Sequence, residues 1–519
     1  MRTLMLACAA VLLLASPASA QKKASKQLKE LDAYFQQALE NWDIPGMAVA
    51  IVKDGEVVHA KGYGVANEDT QAPATANTLF AVASNTKAFT SAALAMLVDE
   101  GKLSWDDKVQ KHLPYFQLYD PYVSAEMTIR DLLCHRSGLA TFSGDLVWYG
   151  SSHSREEVIR RARHLEPTHG FREHYGYQNI MFITAGEVVA KVSGMSWDDF
   201  IKTRFFQPMG MDRSVTTINM FPGMTDISTP HNANLSGEGN HTIQWVNWDN
   251  IGGAGAIVSS VNDMARWLQL QLGKGTLDST QYWTEARTYD MWQVHTPEGI
   301  SSWSRGNFPT KTFNGYGLGW ELWNYHGEKI VNHGGGYDGM ISKTVVVPGQ
   351  DLAFVILTNN INWLPSALTY KILDVYLGDK KKDTKDWAQY YLDLKTQIDA
   401  RDKQEQQALA EARITDTTPS LELAAYTGTY RSELYGDVEV RLIGDQLAFQ
   451  FEPTPLFRGT LRHWHYDTFQ LNWGTDMMLP SGTAQFVLTP QGQVAEIKID
   501  VPNPDFDFTE LKLLKVLAD

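Results

Sequence analysis

The chain has 519 residues and a formal net charge of −15, from 45 Lys and Arg against 60 Asp and Glu. So acidic a balance leaves no basic stripe to neutralise phosphates and argues against any nucleic-acid role. The length allows a large core and more than one domain, and the 16 Trp and 21 Tyr supply amphipathic side chains for cores or clefts.

In chain order, residues 1–20 carry a charged Arg2, an apolar run from Leu4 to Leu14 and the small-residue site Ala18-Ser19-Ala20. That is the layout of a secretory signal peptide, so a periplasmic or secreted location is expected. The apolar run is too short to span a membrane and no later stretch reaches that length, so no membrane span is expected. Cleavage after Ala20 leaves Cys134 as the only cysteine, without an intrachain disulfide. Its apolar neighbours point to a buried thiol rather than a reactive one.

Gly46 to Val52, then Asp54-Gly55, then Glu56 to Ala60 predict a hairpin. The run from Thr78 to Ala83 is extended, and Ala88 to Val98 holds a helical period to about Gly101. Ser84-Asn85-Thr86-Lys87 lies at that junction. A lysine three positions after a serine sits one turn away on the same face, which puts an amine beside a hydroxyl. This is the minimum needed to activate a serine without a histidine. Alone the pattern is weak: Ser19-Ala20-Gln21-Lys22 matches it equally well.

Tyr177-Gln178-Asn179 follows a loop and precedes a helix near Ile180. Three further strands are expected at Lys329–His333, Ile341–Val347 and Leu352–Leu357, and His333-Gly334-Gly335-Gly336 ends the first of them. Five strands split between the two ends of residues 21–380 should close into one antiparallel sheet, with the helices inserted between them. A cleft between sheet and helices is then the natural site. Residues 381–415 are charged and free of Gly and Pro, which reads as a helical linker. From there to residue 519 short alternating runs such as Asp437–Leu442, Gln446–Phe451 and Ala484–Leu488 predict an all-β barrel or sandwich.

Three motifs in order, Ser84/Lys87, Tyr177/Asn179 and His333/Gly335, resemble those of serine hydrolases of the class C β-lactamase and penicillin-binding-protein superfamily. The flanking phrases Met127 to Leu139, Gly252-Gly253-Ala254-Gly255 and Tyr316-Gly317-Leu318-Gly319-Trp320 agree with it. The resemblance covers about residues 30–378, and residues 416–519 look like the lipocalin-like modules of some relatives. It implies an α/β (α+β) fold, a transpeptidase-like domain with an antiparallel sheet flanked by helices, plus a C-terminal barrel.

It also implies that Ser84 attacks a carbonyl and forms an acyl-enzyme, with Lys87 and Tyr177 as its catalytic partners and no cofactor or metal. Asn179, His333, Gly335 and Gly336 would bind substrate, Asn179 through the acyl amide and Gly336, with Ser84, through oxyanion amides. Two bases stay open. A phenolate Tyr177 needs its pKa lowered by about 3 units, roughly 4 kcal/mol, which a charged Lys87 could supply. A desolvated, neutral Lys87 could instead take the serine proton itself. The Tyr177 route is preferred at this level.

The third motif departs from the family's usual lysine. His333, largely neutral near pH 7, gives no fixed charge for a substrate carboxylate. The expected partner is thus a small-molecule or peptide substrate with an ester or amide. A β-lactamase or D-alanyl-D-alanine carboxypeptidase is the alternative, and a slow penicillin-binding or sensor protein the alternative of another class. The C-terminal module is a candidate surface for homo-oligomers.

Overall fold

The computed structural model describes residues 17–233, 239–378, 385–474 and 479–517, with side chains from Lys26 onward. The leader expected at residues 1–20 therefore lies outside the described residues as far as residue 16, as do residues 379–384, which span the expected boundary between the domain ending at 380 and the linker starting at 381.

Among the described residues the first part of the chain forms a nine-stranded antiparallel sheet. Its strands are β1 (Gly46–Lys53), β2 (Glu56–Asn67), β3 (Ala72–Pro73), β4 (Thr296–Pro297), β5 (Asn314–Tyr316), β6 (Glu321–Tyr325), β7 (Glu328–Tyr337), β8 (Met340–Val347) and β9 (Leu352–Thr358). Their order is β4-β5-β6-β7-β8-β9-β1-β2-β3. The five strands read from sequence sit together in the middle, and β1 joins the two chain ends by pairing with β9, Met47 opposite Thr358 through Lys53 opposite Leu352. The β1–β2 turn has Asp54 and Gly55 both at positive φ, as a two-residue hairpin requires.

Strand β1 shows why the central run is apolar without alternation. Met47, Val49 and Ile51 enter one core with Leu31, Phe35, Leu368 and Trp387. Ala48, Ala50 and Val52 enter another with Phe89 and Leu94. Both faces are covered, so both must be apolar.

The helices that cover the sheet and carry the motifs are α1 (Pro17–Asn41), α2 (Thr86–Asp99), α3 (Asn179–Ser193), α4 (Leu364–Leu377) and α5 (Trp387–Glu411). Helices α1 and α4 and the start of α5 lie on the outer face. Helix α2 is buried on all sides from Thr86 to Leu97, which explains its lack of a polar face. No helix among the described residues is long and apolar enough to cross a membrane.

The C-terminal part is a closed barrel of eight antiparallel strands in sequence order. They are β10 (Gly428–Ser432), β11 (Gly436–Ile443), β12 (Gln446–Phe451), β13 (Arg458–His465), β14 (Thr468–Trp473), β15 (Gly482–Leu488), β16 (Val494–Asp500) and β17 (Leu513–Lys515). Closure leaves no unpaired edge, which suits a short-stranded module. Helix α5 is not a free linker: Trp387, Ala388 and Tyr391 are buried against the outer layer, while its later turns are exposed.

Candidate active site

Ser84 lies in a single 3₁₀ turn, Ala83–Asn85, that feeds α2. Ala83, just before it, is held at φ 46°, a left-handed conformation that non-glycine residues adopt only under constraint. The constraint comes from β7. A Cβ placed on Gly335 would sit 2.4 Å from Val82 O and 2.9 Å from Ser84 N, so only glycine lets strand and turn meet.

Lys87, in the first turn of α2, has no exposed surface. Its Nζ donates to Asn179 Oδ1 at 2.7 Å, to Ala254 O at 3.0 Å and to Ser84 Oγ at 3.0 Å. It also lies 4.8 Å from the centre of the Tyr177 ring. Burial pulls its pKa down to about 7, with Asp145 pulling it back up.

The amine's hydrogen-bond count is informative. Asn179 Oδ1 and Ala254 O are fixed acceptors and take two hydrogens in either protonation state. The third direction points at Ser84, so in the neutral amine the lone pair faces the serine hydroxyl. Tyr177 also hydrogen-bonds Ser84, but burial drives its phenol pKa upward. The electrostatics thus favour Lys87 over the Tyr177 phenolate preferred from sequence: burial, complete at Lys87 and partial at Tyr177, penalises charge at both and favours the neutral lysine and neutral tyrosine.

Asn179 is buried at the start of α3. Its Nδ2 donates to Asp145 Oδ2 at 2.6 Å while its Oδ1 takes the Lys87 hydrogen. Only its second amide hydrogen remains for a substrate. Asp145, which also accepts from Trp148 Nε1 at 2.8 Å, is the residue that sequence reading missed. Burial pushes its pKa up to about 8, against those two donors and Lys87. The signal available was an acid opening the apolar run Asp145-Leu146-Val147-Trp148-Tyr149.

Strand β7 supplies the opposite wall. Its pairing with β6 stops at Asn332 opposite Glu321, which frees the edge of residues 333–337. Across the other edge, Tyr337 and Met340 close a two-residue turn and Gly336 faces Ile341. A closing pair in such a hairpin is hydrogen-bonded, and alternation then turns the Gly336 N–H toward the free edge. Gly336 is exposed there, beside Gly335 and the Ser84 amide.

His333 differs from its expected place. It is 1% exposed and both ring nitrogens are engaged inside the protein, Nε2 with Tyr316 OH at 2.7 Å and Nδ1 with Gly334 O at 2.5 Å. It stands behind Tyr177, ring centres 6.2 Å apart, rather than open to a substrate. Burial holds its pKa down to about 4, so it is neutral. His135 backs the same tyrosine at 4.2 Å and its Nδ1 accepts from Gln178 N–H at 2.9 Å. It is a packed, hydrogen-bonded histidine that holds the Tyr177 loop. Cys134 is buried and its thiol pKa is pushed up to about 12.

Residues 31–375 match the family described as Beta-lactamase. The chain belongs to that family. Residues 412–515 match a domain of unknown function, DUF3471. The chain is similar to the unguisins hydrolase ungD′ of Aspergillus campestris, 30% identical over 424 residues, 78% of this chain and 76% of that one. It is also similar to protein flp of Staphylococcus aureus, 26% identical over 350 residues, 66% of this chain and 65% of that one. In fold it is similar to the octameric penicillin-binding protein homologue from Pyrococcus abyssi, TM-score 0.60 at 22% identity, covering 94% of this chain and 100% of that one. A class C β-lactamase from Rhodobacter sphaeroides shares the fold at TM-score 0.53 and 22% identity, over 66% of this chain and 98% of that one.

Proposed function

We propose that this β-lactamase-family protein is an exported serine hydrolase that works through an acyl-enzyme on an ester, amide or peptide substrate. The observation that carries the reading is the Lys87 amine 3.0 Å from Ser84 Oγ, its other directions fixed by Asn179 and Ala254.

Neutral Lys87 takes the Ser84 proton as Oγ forms its bond to the carbonyl carbon. The carbonyl electron pair moves to oxygen, held by the amides of Ser84 and Gly336; each such donor is typically worth about 3–4 kcal/mol. Collapse breaks the bond to the leaving group, which takes the Tyr177 phenolic proton, and the Lys87 ammonium restores it. Water then attacks the ester with the same groups in reverse.

Substrate class follows from what the third motif lacks. His333 is buried and neutral, so it offers no cation to a carboxylate, and neutral esters and amides are favoured over β-lactams and D-Ala-D-Ala termini. A relative named as an unguisins hydrolase supports a hydrolytic activity. Export rests on the leader pattern at residues 1–20. A lipocalin-like ancestry of the barrel rests on its eight closed, sequential strands. Assembly of several copies draws support from the octameric state named for the Pyrococcus abyssi homologue, and the barrel is the surface we propose for it.

Intact-mass analysis after a fluorophosphonate probe tests the reading. One adduct on the wild type and none on Ser84→Ala is expected; equal labelling of both would end it. Hydrolysis of nitrocefin, p-nitrophenyl esters and D- and L-aminoacyl amides then sorts the substrate class. Strong nitrocefin turnover would contradict the weight placed on His333. Probe labelling of Ser84 without turnover of any of these substrates would favour a penicillin-binding or sensor role.

A further inference from the structure

Among the described residues, the hydrogen bonds and ion pairs between the barrel and the catalytic part fall on one segment, residues 143–166. Ser152 N–H donates to Pro453 O at 2.8 Å, Thr454 Oγ1 to Tyr149 O at 3.2 Å, and Arg161 Nη1 to Leu434 O at 3.0 Å. Tyr149 stacks on Phe457 and leans on Phe506. These contacts dock the module. One contact differs in what it holds.

Glu510 lies in a 3₁₀ turn, Phe508–Leu511, just before the last barrel strand. Its Oε1 accepts from Ser143 Oγ at 2.5 Å and its Oε2 from Gly144 N–H at 2.8 Å. The next residue is Asp145. Gly144 sits at φ 79°, where only glycine is unstrained, and a Cβ there would lie 2.6 Å from Ile180 Cδ1 and Leu165 Cδ1. The turn has one allowed shape, and the barrel carboxylate grips it from outside by two bonds.

From Asp145 the chain of bonds is unbroken: Asp145 to Asn179 at 2.6 Å, Asn179 to Lys87 at 2.7 Å, Lys87 to Ser84 at 3.0 Å. Asp145 also fixes which way the Asn179 amide faces, because only its carboxylate can accept the Nδ2 hydrogen while Oδ1 meets the amine. A flipped Asn179 would aim an NH₂ at Lys87 and lose both bonds.

We propose that Glu510 is a positioning residue of the active site: the barrel holds the turn that carries Asp145, and through Asn179 it aims the Lys87 amine at Ser84. The barrel is then part of the catalytic apparatus and not only an appended module. The inference rests on the Ser84–Lys87 reading above and adds the element that keeps it in register.

The test compares full-length variants by kcat and KM on a p-nitrophenyl ester, with thermal unfolding as a control for docking. Glu510→Ala is expected to lower kcat by about 10- to 100-fold while KM stays within about threefold, in proportion to misplacement of a catalytic group. Glu510→Gln, which keeps an acceptor for Gly144 N–H, is expected to recover most of the loss. Lys512→Ala removes a neighbouring barrel contact, the ion pair with Glu166, and should leave kcat unchanged. In a double-mutant cycle, Glu510→Ala and Asp145→Asn should be far from additive, since both act on one chain of bonds.

A Glu510→Ala enzyme with wild-type kcat would overturn the proposal. So would equal losses in Glu510→Ala and Lys512→Ala, or full additivity with Asp145→Asn, which would reduce Glu510 to a docking contact. Wild-type labelling at Ser84 is scored in the same samples, so failure of the serine reading shows as a missing adduct and not as a changed ratio.

Discussion

The amine at Lys87 is the group on which the proposed chemistry turns, because burial brings its pKa down to about 7 while three hydrogen bonds fix its direction. Its protonation is coupled to Asp145 through Asn179 and shares the pocket with the Tyr177 phenol and the His135 and His333 imidazoles. Lys87→Met should leave Ser84 in place and cut acylation by at least about 10³-fold, the larger end of what a positioned base supplies, as read by the rate of adduct formation. Gly335→Ala tests the strand–turn contact: with backbone atoms 2.4 and 2.9 Å from the new Cβ, the Ser84 turn must move. Acylation should fall by about 10²-fold, the scale expected for a 1 Å misplacement.

That Ser84, Lys87, Tyr177 and Gly335 would lie together was legible in sequence because each falls in a motif of fixed spacing. Asp145 was not, because its role depends on a partner 34 positions away. The choice between Lys87 and Tyr177 was not legible either: it depends on desolvation, which spacing does not report. For His333 the residue type gave an expectation of a neutral group, but spacing did not report that Tyr316, flagged only as part of a phrase, would close it off.

Elements were read where periodicity was strong. The central strands, α2, α3 and several barrel strands follow the alternation and helical spacing of their sequences. The short outer strands β3, β4 and β5 carry two or three residues each, too few for any period to register, and they form by extending the edges of an existing sheet. Helix α5 falls within the helical linker read from sequence, and what spacing did not report is its anchor: Trp387 stacks on Phe308, packs at a tilt on Tyr370 and donates to Asp374 Oδ2 at 2.6 Å. Trp387→Ala should cost about 3–5 kcal/mol, the usual range for a buried tryptophan. Urea unfolding should show the loss as a lower midpoint, with kcat per folded molecule unchanged because the outer layer is remote from Ser84.

At the scale of the whole molecule, the two parts share one apolar cluster that runs from Phe89 and Leu146 through Tyr149 to Phe457 and Phe508. A continuous core of this kind couples their unfolding. Calorimetry of the full chain should give a single cooperative transition in which barrel and catalytic part melt together. Two separated transitions would show the barrel to be an independent domain and would weaken any account in which it supports catalysis.

The account as a whole is tested most directly by the pH dependence of Ser84 acylation, followed by intact mass from pH 5 to 10 with Ser84→Ala as the blank. A lysine base whose pKa is lowered is charged and inactive below that value and free to accept a proton above it. The rate should therefore rise with pH through a midpoint near 7, belonging to the coupled Lys87–Asp145 pair, and level off by about pH 8–9. A rate that stays low to pH 9 and then climbs toward the range of an ordinary lysine or tyrosine would contradict it.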